Sequence, residues 1–103
     1  MQIKQLIIIT IYMIGVTGTQ LVGSQELNPI DQAQQLIDQG KSEKAITLLR
    51  KLQPKYEGIP AFDYVFGLAC VDTGRNVEAI FALERVVDTI PDHGPARAEL
   101  ARA

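Results

Sequence analysis

Few side chains in this 103-residue chain could do chemistry. A cysteine nucleophile needs an imidazole within hydrogen-bond reach, and the chain holds one of each, Cys70 and His93. Their settings point elsewhere. Cys70 lies in the apolar run "FGLACV", where a thiol reads as a small core residue rather than a reactive group or an intermolecular bridge. His93 lies in "PDHGP", which reads as turn chemistry. A metal site built on several imidazoles has only that one histidine to draw on. Twelve Asp and Glu supply carboxylates in plenty, but a general acid–base pair must be drawn into a cleft, and stretches such as "LERVVD" read as solvent-facing helix. Gly40, Gly58, Gly67, Gly74 and Gly94 show neither phosphate-loop spacing nor a strand before them. The sequence therefore predicts no enzyme, no cofactor and no metal.

Residues 1–24 have the layout of a secretory signal. Lys4 and the free amine form the positive end, and Leu6 to Val16 form an apolar stretch of eleven residues interrupted by Thr10 and Tyr12. That is short for a membrane span, which needs about 20 apolar residues. Thr17 to Gln20 break the run, and Val22 and Ser24 offer the small-residue pattern for cleavage before Gln25. No cysteine follows to take an acyl anchor. The alternative is an uncleaved segment held in the inner membrane. Removal of Lys4 leaves nine bases against twelve acids, a charge of −3 with no basic patch. Nucleic acid and anionic lipid are thereby excluded as partners, and membrane contact is confined to the signal segment. A lone Cys70 makes no internal disulfide, so stability must come from packing.

The elements that carry these residues recur. "DQGKSEKAI" (38–46) and "DTGRNVEAI" (72–80) lie thirty-four residues apart. At that shift Asp38, Gly40, Ala45, Ile46 and Leu49 fall on Asp72, Gly74, Ala79, Ile80 and Leu83, and the small residues Ala33, Gly67 and Ala101 keep the same period. Such a period points to a helical hairpin repeat. Asn28 and Pro29 should open a helix that runs to about Gln39 and stops at Gly40. Ser42 should cap a second, ended by Pro54. Pro60 or Ala61 opens a third, ending at Gly74; Asn76 caps a fourth running to about Thr89 and closed by Pro91; "ARAELARA" begins a fifth.

In "FDYVFGLACVDTGRNVEAIFALERVVDTIP" the chain resembles the tetratricopeptide repeat (TPR) family, a helix-turn-helix unit of this length. Phe66 and Gly67 match that family's large-then-small pair, Ala79 its close-approach residue, Pro91 its closing proline, and Leu83 and Val86 its second-helix core. The first unit keeps Ala33, Leu36, Ala45, Leu49 and Leu52. Asp63 replaces an aromatic, flanked by Phe62 and Tyr64, and Cys70 stands where a later aromatic is expected. The resemblance implies an all-α fold, an α-solenoid of antiparallel helix pairs, with units at about 26–59 and 60–93 and a partial third at 94–103, all within a domain spanning 25–103.

It also implies a concave face built from the first helix of each pair and suited to a protein or peptide partner. Here that face would hold Ile30, Gln34, Ile37, Tyr64, Leu68 and Val71, with Leu27 at its edge. Changing Tyr64 and Leu68 to Ser should then abolish capture of a partner without lowering the melting temperature. The expected role is an exported interaction module or scaffold in a bacterial periplasm, serving envelope-complex assembly. The alternative is a truncated N-terminal segment of a larger repeat protein with only a structural role. Ala96, Leu100, Ala101 and Ala103 give the terminal helix an apolar side through which copies of the chain could associate.

Overall fold

The computed structural model describes residues 27–103; the expected export signal and its cleavage site lie outside the described residues. Those described form five helices and no strand: α1 (Pro29–Asp38), α2 (Ser42–Tyr56), α3 (Pro60–Asp72), α4 (Asn76–Thr89) and α5 (Gly94–Arg102). Each helix packs on its neighbour in the chain, and α3 also packs on α1 and α5.

The chain ends its first and third helices in the same way. Asn28 caps α1, its side-chain oxygen accepting the Asp31 N–H at 2.9 Å, while Pro29 fills a first-turn position that needs no donor. At the far end Gly40 takes φ 77°, where an L side chain would be strained. The turn lets the Gly40 N–H reach the Ile37 carbonyl at 2.9 Å and the Lys41 N–H reach that of Leu36 at 2.7 Å. Thirty-four residues later Gly74, at φ 78°, closes α3 with the same two bonds, Gly74 to Val71 at 3.2 Å and Arg75 to Cys70 at 2.8 Å.

Three helix ends depart from expectation. Ser42 and Asn76 do not cap; they are the first residues of α2 and α4, and Lys41 and Arg75 occupy the cap positions without a side-chain bond. The closing bond at each glycine turn already brings residues 41 and 75 to the helix entrance, leaving no extended residue for a cap. Ser42 instead donates to Asp72 at 3.1 Å, and Arg75 reaches Glu43 at 3.2 Å. Pro54 does not stop α2, which runs on to Tyr56. The ring removes one bond, to the Arg50 carbonyl. Both residues are exposed, so water can take that carbonyl, and the Glu57 N–H closes the helix on Gln53 at 2.9 Å.

The core centres on α3, which buries Phe62, Asp63, Val65, Phe66, Gly67, Ala69 and Cys70. Ala33, Ala45, Leu49, Ala79, Leu83 and Val86 join them with no exposed surface, and Leu36 and Leu52 lie half-buried against them. Pro91, expected among the core residues, is exposed. It ends α4 from the surface, and its carbonyl accepts from Arg97 at 2.7 Å. Gly67 is set by close approach: a Cβ there would stand 2.6 Å from Leu83 Cδ2. Alanine would gain about 1 kcal/mol of helix propensity, but overpacking costs about 1–3 kcal/mol, and fully buried Leu83 has nowhere to retreat. The close approach wins.

Candidate protein-interaction site

Two surfaces are candidates for a binding site, one on the first helices and one on the second. Of the expected groove residues, α1 carries Ile30, Gln34 and Ile37 and α3 carries Tyr64, Leu68 and Val71, and the two helices pack on each other. All six are half-buried, and Leu27 is exposed just before α1. They are not equivalent. Ile30, Ile37, Tyr64 and Val71 lean on the core. Gln34 bonds Asp38 at 2.9 Å along its own helix.

Tyr64 makes a contact that its sequence neighbourhood does not reveal. Its ring lies 5.0 Å from that of His93. His93 in turn caps α5, its Nδ1 accepting the Ala96 N–H at 3.0 Å. Burial raises the Tyr64 pKa, and the nearby Glu99 charge adds to the effect. Replacing Tyr64 therefore disturbs the seat of α5, so a Tyr64 variant cannot test binding at constant stability. Leu68 can. The apolar side of α5 is likewise already used: Ala96 is fully buried, Leu100 and Ala103 pack on the core, and Ala101 remains exposed.

The second surface lies between α2 and α4. A pocket of about 140 Å³ is lined by Gln53, Glu57, Phe66, Glu78, Phe81 and Arg85. Glu78 in that lining holds Arg50 of α2 in a two-pronged ion pair at 2.8 and 2.9 Å. Their hydrogen bond holds the Glu78 carboxyl below its usual range and raises the Arg50 guanidinium. Arg50 also lies 5.6 Å from the centre of the Phe66 ring.

Deeper in, Asp63 is only 1% exposed. Arg85 grips it through Nε at 3.2 Å and Nη2 at 3.1 Å, and the Gly58 N–H donates to it at 3.4 Å. The hydrogen bond to Asp63 raises the Arg85 pKa. Arg85 also lies 3.5 Å from Glu57. "LERVVD" is thus not wholly a solvent face, since its arginine neutralises a buried acid. The signal for that acid was present: Asp63 is the one charge in the otherwise apolar opening of α3.

Cys70 is fully buried, and burial pushes its thiol up from 9.0 to about 11. At pH 8 this leaves roughly a hundredfold less thiolate than an ordinary cysteine. Native-state alkylation should be slower by at least that factor than in denaturant, as mass spectrometry of timed samples would read; equal rates would place the thiol at the surface. A raised folded pKa also means that Cys70 favours the folded state below the unfolded value and loses that contribution as pH climbs from 9.0 towards 11. Among the described residues no group of three or more His, Cys, Asp or Glu could hold a metal ion, and no helix is long and apolar enough to cross a membrane.

Comparison of the chain with family models, curated proteins and solved structures finds no match.

Proposed function

We propose that the chain is a TPR-like interaction module, a short solenoid of antiparallel helix pairs that binds an extended or helical apolar peptide along α1 and α3. What supports this reading is the pairing of two observations. The glycine turns at Gly40 and Gly74 repeat bond for bond, and α3 packs at one remove on both α1 and α5. A chain built this way lines up its first helices, and with them a row of apolar side chains for a peptide to lie along.

Within that row Leu68 is the residue to watch, because it is half-buried yet stands outside the core cluster. Peptides selected from a displayed random library should lose affinity at least tenfold for Leu68→Ser while the melting temperature stays within a few degrees of the parent. Selection of no peptide, or peptides indifferent to Leu68, would sink the groove. The residues before Gln25 fit export, and a bacterial periplasm and envelope-complex assembly are the setting proposed for the module. Sequencing the N-terminus of protein recovered from that compartment tests the placement.

A further inference from the structure

The surface between α2 and α4 is not needed for that groove, yet it carries the two most exposed large apolar side chains among the described residues. Val77 and Phe81, one turn apart on α4, are 66% and 60% exposed. Phe81 also forms one wall of the pocket between α2 and α4, with Phe66 contributing another. A half-open aromatic wall of this kind is suited to receive a second ring.

Charge decides what brings it. The α2 sequence carries four bases and one acid, whereas α4 carries three acids and one base. Part of this is consumed within the chain by Arg50 with Glu78 and by Arg85 with Asp63. What remains is separated by sign. Among the described residues Lys44, Lys51 and Lys55 on α2 enter no ion pair, and neither do Glu84 and Asp88 on α4. All five are exposed.

We propose that α2 and α4 form a self-complementary surface through which two copies of this chain pair about a twofold axis. The basic row of α2 in each copy faces the acidic row of α4 in the other, and the two Phe81 rings are buried near the axis. A twofold contact presents the same patch on both partners, so a patch that is basic on one side and acidic on the other satisfies itself twice in one dimer. Other faces are less suited. The apolar side of α5 is largely spent inside the chain, with Ala96, Leu100 and Ala103 already packed.

The test uses protein purified after expression of the full 103-residue sequence. Sedimentation equilibrium over about 5–500 µM, the range of a modest self-association, should show the mass rising towards twice the monomer and the rise weakening with added salt. Phe81→Glu should abolish it with the helical circular dichroism retained. Two charge-reversed variants make the assignment specific: Lys51→Glu with Lys55→Glu on α2, and Glu84→Lys with Asp88→Lys on α4. Each alone should be monomeric, because its two rows carry like charge. Mixed in equal amounts they should pair, each variant supplying the opposite sign at both contacts. A monomer at every concentration, a dimer that survives Phe81→Glu, or a mixture that stays monomeric would overturn the proposal. A dimer lost instead on Ala101→Glu would move the contact to α5.

Discussion

Ala79→Glu is expected to leave the chain largely unfolded at 25 °C. Ala79 has no exposed surface and lies on the buried side of α4 with Ala82, Leu83 and Val86. A glutamate there adds four heavy atoms to the side chain, and overpacking of that kind costs about 1–3 kcal/mol. The carboxylate would also be buried without a partner, at several kcal/mol more. A domain of this size has only about 4–12 kcal/mol of stability in hand. Far-UV circular dichroism should show most of the helical signal gone at a temperature where the parent is folded. Val77→Glu, two residues away but 66% exposed, is the control and should retain it. A parent-like melt for Ala79→Glu would refute the packing of α4.

Arg85→Leu should be nearly as damaging for a different reason. It leaves the Asp63 carboxylate buried, with only the Gly58 N–H at 3.4 Å to answer it. Removing one partner of a buried pair costs about 3–5 kcal/mol; because the Arg85 side chain is 36% exposed, the loss should fall at the lower end. At roughly 4–8 °C per kcal/mol for a domain this small, the melting temperature should drop by about 12 °C or more. Asp63→Leu should cost less, since the stranded guanidinium can turn to Glu57 and to water. The double replacement should recover much of the loss of Arg85→Leu, because an apolar pair of similar volume has no charge to desolvate. Urea denaturation of the three variants gives the ranking. An Asp63→Leu loss larger than that of Arg85→Leu would mean that the carboxylate is not the liability proposed.

The helix borders that were legible in the sequence are those written in backbone chemistry. Gly40 and Gly74 end α1 and α3 because the turn requires positive φ, and Asn28 with Pro29 opens α1 because an acceptor and a missing donor both suit that place. What periodicity could not reveal is any contact whose partner lies far along the chain. Asp63 reads as an acid standing in an aromatic's place, and nothing near it in sequence names its partner Arg85, twenty-two positions later. Tyr64 reads as a groove residue until His93 arrives against its ring. Ser42 and Asn76 have good cap chemistry, but the glycine turns had already placed residues 41 and 75 at the helix entrances. Pro54 failed as a stop because the solvent-exposed last turn can lose one hydrogen bond without losing the helix.

The packing of each helix only on its neighbours and next neighbours also bears on how quickly the chain finds its fold. The long-reaching side-chain bond from Arg75 to Glu43 spans just 32 residues, so the entropy of loop closure stays small at every step. Topologies with such local contacts fold in microseconds to milliseconds. The chain need not hold one end in wait for the other: α3 can gather α2 and α4 as a nucleus, with α1 and α5 adding from either side. Fraying should run in reverse, from the outer helices inward, while the amides of α3 exchange last.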